Sequence, residues 1–232
     1  MAGETRDSLA NVLAVRTPPT TFHVLRDGAD LYLIDCGFTG GARTLARALD
    51  CRGWKHLRIR GILLTHGHLD HVLNTARIAQ ESGAWVAAHR LERAQIAGCY
   101  PHTGSSRLCG MLEAAGRMLF RYSAPKVDHW LEDGDELPLL GGLRVIHLPG
   151  HTEGHVGFFL PRSRLLFSGD LFASYSLLSH FAPRCLSTHP VEIPKSAARA
   201  LALDPMGILP NHRDGAGPET HLARLRALLE RR

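Results

Sequence analysis

The stretch Thr65-His66-Gly67-His68-Leu69-Asp70-His71 restricts what this chain can fold into more than any other. It follows the apolar run Gly61-Ile62-Leu63-Leu64 and opens a helical pattern, which puts it at the end of a strand. Side chains two apart on an extended backbone project the same way, so His66 and His68 form a pair. Asp70 and His71 fall on the first turn of the next helix, where exposed N–H groups and the positive end of the helix dipole favour a carboxylate. They diverge from the first pair and could serve a second metal a few ångströms away. Gly67 lets the loop close without a side-chain clash. A lone H-x-H is weak; H-x-H-x-D-H at a strand end is a strong metal signature, since imidazole suits zinc or iron and a carboxylate can bridge two cations.

Three later turns extend the set. Pro149-Gly150-His151-Thr152-Glu153-Gly154-His155 follows a β-rich run at 143–148, Phe167-Ser168-Gly169-Asp170 closes one that starts at 165, and Leu209-Pro210-Asn211-His212 follows another at 206–209. Further strands are expected at 22–26, 30–35, 61–65, 85–88 and 156–160, the first two forming a hairpin around Gly28. Amphipathic helices are expected at 41–53, 70–82, 105–122, 194–203 and 219–231. The hairpin calls for antiparallel pairing and the strand–helix–strand unit 61–88 for parallel pairing, so a mixed, layered α/β architecture follows. Ligands at successive strand ends would converge on one sheet edge. Residues 94–126 break the strand rhythm and read as a lid or insertion. No Pro/Gly/Ser linker divides the chain, and residues 1–232 read as a single domain.

Bulk properties narrow the class. The chain has 232 residues, 44% hydrophobic and 21% charged, ordinary for a soluble globular protein. Its longest apolar stretches are too short to span a bilayer, and the N-terminus lacks the apolar core of a secretory signal. A soluble, cytoplasmic protein without a membrane partner is expected. The five cysteines, with no C-x-x-C spacing, read as free thiols in a reducing compartment. The net charge of +5 comes from scattered arginines, which argues against nucleic acid as the partner.

In order and spacing, the four motifs resemble those of the metallo-β-lactamase superfamily, from about Phe22 to His212. That resemblance implies a four-layer αββα sandwich, two mixed sheets flanked by helices. It implies that His66, His68 and His151 hold one divalent metal and Asp70, His71 and His212 a second, with Asp170 bridging. Zinc is the first expectation, with iron or manganese as alternatives. His155 matches a family position but reads as a residue behind the site or in packing. Asp35 resembles the family's aspartate behind the site; it either orients a ligand imidazole or caps a turn. The last motif is usually Pro-Gly-His and here is Pro-Asn-His; Asn can take backbone conformations that favour Gly, which would keep His212 pointing inward.

Two divalent cations bring four positive charges; Asp70, Asp170 and a hydroxide between the metals remove three, leaving about one. Such a centre supplies a nucleophile at neutral pH and stabilises an oxyanion. Asp70 could also shuttle a proton. The resemblance therefore implies a metal-dependent hydrolase of a small-molecule carboxylic ester, thioester or lactone. True β-lactamases of this fold generally lack the bridging aspartate. Flavodiiron proteins carry glutamate where His68 stands. Twenty residues follow His212 (232 − 212), one helix's worth, which weighs against the helical substrate domain of glyoxalase II. Tyr175, between the bridging and final ligands, could hydrogen-bond a substrate carbonyl; packing is its plainer role. A phosphodiesterase with the same centre and a mononuclear-iron persulfide dioxygenase remain alternatives, and a homo-oligomer is left open.

Overall fold

The computed structural model describes residues 9–99 and 102–231. Strands β1 (Val12–Thr17), β2 (Thr20–Asp27), β3 (Asp30–Ile34), β4 (Arg58–Leu64), β5 (Trp85–His89) and β6 (His129–Leu131) form one sheet in chain order. Pairing is antiparallel through β3 and parallel from β3 to β6. The predicted hairpin turns at Gly28, whose φ of +60° suits glycine. The second sheet runs β13-β10-β9-β8-β7, from Gly207–Pro210, Leu165–Gly169, Val156–Leu160, Leu143–His147 and Glu136–Leu137. It is antiparallel except for β10 against β13. A two-stranded ribbon pairs β11 (Phe172–Ala173) with β12 (His180–Phe181).

Three apolar layers build the sandwich. Leu25, Ile34, Leu63 and Ala87 of the first sheet pack against Val145, Phe158, Phe167 and Leu209 of the second, all buried. The first sheet's other face is covered by α1 (Gly41–Cys51) and α3 (Thr75–Ser82), through Leu45, Leu49 and Ile78. The second sheet's outer face takes α6 (Ile193–Ala202) and α7 (Pro218–Glu230), through Ala197, Ala200, Leu222 and Leu225. Helix, sheet, sheet, helix is the expected order of layers. Strands facing apolar layers on both sides read as continuous apolar runs, and every residue of β9 and β10 is buried.

Some local expectations change. The helix predicted over 70–82 is two, α2 (Leu69–Val72) and α3, because Asn74 turns its amide to the carbonyls of Cys36, Gly37 and Phe38 at 2.7–3.1 Å. Strands β1, β6, β7, β11 and β12 escaped the sequence reading; all but β1 are two or three residues long, too short to carry a period. Within 94–126, α4 (Arg93–Ala97) and α5 (Arg107–Leu119) are helical, and residues 100 and 101 lie outside the described residues. The N-terminal seven residues read against a secretory signal also lie outside them. All five cysteines are free. Among the described residues no helix is long and apolar enough to cross a membrane.

Candidate metal centre

The loop after β4 is anchored at Thr65 on Asp35, the residue just past β3. Asp35 is fully buried with φ at +63°, a conformation costly for a residue with a Cβ and held only where its surroundings over-determine it. Here they do. Its carboxylate accepts from the Thr65 amide (2.8 Å), the Thr65 hydroxyl (2.7 Å) and the Asn211 amide (2.6 Å), and pairs with His71 Nδ1 (3.0 Å). Of the two roles left open for Asp35, orienting an imidazole is the one its contacts match. The Thr65 hydroxyl, having donated to Asp35, accepts from His66 Nδ1 at 3.0 Å. Both chains of contacts fix a tautomer: a proton on Nδ1 leaves Nε2 of His66 and of His71 as a lone pair. Those two atoms, with Asp170 Oδ1, are buried and have no hydrogen-bond partner.

All seven expected ligands come together. Donor atoms of His66, His68 and His151 lie within 4.8 Å of one another, as do those of His66, His71 and Asp170, and those of Asp70, His71 and His212. His68 Nδ1 is 2.8 Å from His151 Nε2. Asp170 reaches toward both groups, 3.5 Å from His151 Nε2, 3.4 Å from His71 Nε2 and 3.0 Å from His212 Nε2. His155 stands behind: its Nδ1 donates to the Leu148 carbonyl (2.9 Å) and its Nε2 accepts from the Asp170 amide (3.0 Å), so neither nitrogen is left to ligate. His212 does point inward, but not for the conformational reason expected. Asn211 does not take the left-handed backbone; it is buried and held by its side chain on Asp35.

The electrostatics divide the site. Burial first, then the neighbouring imidazoles, pushes His66 and His151 well below the ordinary histidine range and His68 down to about 3. Neutral imidazole is the form that binds metal. On the other side burial opposes charge at His71 and His212, but Asp170 and Asp70 outweigh it, lifting His71 well above its usual range and His212 to about 10. The two carboxylates thus demand positive charge, which the metal-free protein can meet only by protonating ligands. Orphaned lone pairs, neutral imidazoles and unneutralised carboxylates fit divalent metal ions.

Sequence reasoning missed the braces. Glu92, just after β5, is 1% exposed, and its two oxygens accept from the amides of Gly67 (2.6 Å) and Gly154 (2.8 Å). It ties the His66–His68 loop to the His151–His155 loop, and burial pushes its carboxyl up to about 7. Glu113 accepts from the Leu69 amide, while Arg117 donates to the carbonyls of Gly67 (2.6 Å) and Ile96 (3.1 Å). The segment read as a lid therefore also buttresses the histidine loop. Gly67 is needed for close approach: a Cβ there would sit 2.6 Å from Gln95 Cγ.

The centre floors a cavity with two lobes sharing His151, Asp170, Leu186 and His212. One, about 260 Å³, is walled by Phe172, Tyr175, His180 and Pro183; the other, about 390 Å³, by Pro19, Phe38, Leu112 and Phe120. Tyr175 lines the smaller lobe.

Fold and centre together define a class. The chain matches the model of the metallo-beta-lactamase superfamily over residues 16–210 and belongs to that family. Among curated relatives, it is 31% identical over 170 residues to the hydroxyacylglutathione hydrolase of Fuscovulum blasticum, covering 71% of this chain and 51% of that protein. It is 27% identical to the probable metallo-hydrolase YflN of Bacillus subtilis, covering 70% and 60%. The chain spans about half the length of the first hydroxyacylglutathione hydrolases it matches. A metallo-beta-lactamase family protein of Thermus thermophilus superimposes with a TM-score of 0.72 at 24% identity, over 95% of this chain and 78% of that one, which shows the fold. TTHA1623, crystallised in a di-iron-bound form, gives 0.66 at 28% identity over 90% and 95%.

Proposed function

We propose that the chain is a metal-dependent hydrolase of carboxylic thioesters and esters. In this reading His66, His68 and His151 hold one divalent ion, Asp70, His71 and His212 hold another, and Asp170 serves both. The observation that carries it is the meeting of seven donors, three of their atoms buried and unpartnered, on the floor of a cavity of small-molecule size. Names among the relatives favour a thioester over a phosphodiester or a persulfide. Zinc is the leading metal; the di-iron form of TTHA1623 keeps iron beside it.

Two bound divalent ions supply Lewis acidity and make water nucleophilic near neutral pH. The chain's own residues do the rest. Asp35 and Thr65 hold His71 and His66 in the tautomer that presents Nε2. His155 Nε2 accepts from the Asp170 amide and so holds in place the backbone that carries the shared carboxylate. Asp70, about a quarter exposed at its side chain, is open to the cavity and can carry a proton toward the departing group. Tyr175 can donate its hydroxyl to a substrate carbonyl. Cys109, Leu112, Gly116 and Phe120 wall one lobe, as a lid on a single-domain body would.

Metal analysis combined with a panel of thioesters, p-nitrophenyl esters, lactones and bis-p-nitrophenyl phosphate tests the reading. The expected result is two metals per chain and hydrolysis of the acyl substrates, lost in His68→Ala. One iron per chain with oxygen uptake, or undiminished activity in His68→Ala, would overturn it.

A further inference from the structure

The two lobes differ in what they can hold. The larger is walled by Pro19, Phe38, Leu69, Leu112, Gly116 and Phe120. Its one acid away from the metal centre, Glu113, is committed to the Leu69 amide and to Arg117. Among the described residues lining either lobe there is no lysine or arginine, although the chain has 27. An anionic substituent would find no counter-charge there beyond the metal centre, and burying it unpaired is costly.

The larger lobe is also open-ended. Leu112 and Phe120, in its wall, are 59% and 38% exposed, and Leu108 and Leu119, both more than half exposed, flank Leu112 along α5. The spacing 108, 112, 119 is that of one narrow helix face. Leu112 belongs both to this strip and to the cavity wall, so the strip's natural occupant is part of the substrate.

We infer that the larger lobe and the adjoining face of α5 bind an unbranched apolar acyl chain, so that this enzyme selects thioesters and esters of medium-to-long fatty acyl groups. The inference rests on the hydrolase reading above. An acyl carbon attacked over the shared floor sends its acyl chain and its leaving group to opposite sides. The larger, apolar, open lobe takes the chain and leaves the smaller lobe, with Tyr175 and His180, for the leaving group. Each methylene moved from water into such a wall is worth up to about fourfold in binding. Because the lobe opens onto α5, a chain longer than the cavity lies along the helix instead of being excluded.

The test is a series of p-nitrothiophenyl thioesters from acetyl to dodecanoyl, assayed with the metal-loaded protein. kcat/KM should rise about two- to fourfold per methylene and then level off without falling. Leu112→Glu should lower the octanoyl-to-acetyl ratio at least tenfold, whereas Met118→Glu, on the same helix but off the face that carries Leu108, Leu112 and Leu119, should leave that ratio unchanged. A flat or falling series, with acetyl thioester still hydrolysed in a metal-dependent way, would overturn the inference and leave the hydrolase reading standing. A rising series that Leu112→Glu did not flatten would also overturn it. No metal-dependent hydrolysis of any member would remove the hydrolase reading itself.

Discussion

At Glu92 one carboxylate spans two loops that each carry proposed ligands, and both of its bonds are to backbone amides. Glutamine in its place would turn an amide N–H toward one of those donors. Glu92→Gln is therefore expected to keep the fold but weaken metal binding by about tenfold, the lower end for groups supporting a metal site. Competition with a chromogenic chelator measures this, and unchanged affinity would exclude the bracing role. The proposed ligands were legible in the sequence because each sits in a short local motif at a strand end. Glu92 was not, because its partners lie 25 and 62 residues away and an isolated glutamate at the start of a helix looks like any solvated charge. Asn211 shows a subtler failure: its place in the motif was visible, but its function comes from a side-chain bond across 176 residues.

Among the elements, α5 combines two roles on opposite faces. Outward it presents leucine and methionine; inward Arg117 reaches the carbonyl of Gly67 in the histidine loop. Arg117→Ala leaves Ile96 its second donor, the Tyr122 hydroxyl at 3.0 Å, but removes the guanidinium from Gly67. The expected cost is about 1–3 kcal/mol of folding stability, the penalty for a buried acceptor losing its donor. Urea unfolding measures it, and a loss well under 1 kcal/mol would mean that α5 is only a cover. The 3.6-residue period marked this stretch as a helix, yet could not say which end of its charged residues would turn inward. The break between α2 and α3 was hidden for a related reason, since the helical pattern runs straight through Asn74 and only tertiary contacts interrupt it.

For the molecule as a whole, buried histidine dominates the response to acid. His23, His155 and His221 are held below the normal imidazole value chiefly by burial, the last two at about 4. Their folded pKa lies below the unfolded one, so the stability they give is present above about pH 6.5 and is lost as pH falls toward 4. Glu92, raised to about 7, pulls the other way together with Glu113, His71 and His212. That is four groups against eight, because burial also lowers His66, His68, His89, His102 and His151. The metal-free protein should therefore show a lower urea midpoint at pH 5 than at pH 7.5; an equal or higher midpoint would mean that these imidazoles are solvated. A mixed, layered α/β architecture was readable from the hairpin and the strand–helix–strand unit, whereas the layer order and the division into two sheets followed only from the motifs' resemblance to the family. Sheet membership at the edges was not readable, because two- and three-residue strands are defined by their neighbours.

The two sheets do not share the centre by accident of looping. His66, His68, Asp70 and His71 follow a strand of the first, whereas His151, Asp170 and His212 follow strands of the second. Cations seated among them would rivet the halves together across their seam, so that occupancy and cohesion become one equilibrium. Saturating zinc at a thousand times its dissociation constant would then add about 4 kcal/mol to unfolding, read as a rise in melting temperature that EDTA reverses. A strong chelator should act on this protein as a mild denaturant does, loosening the seam before any strand is lost.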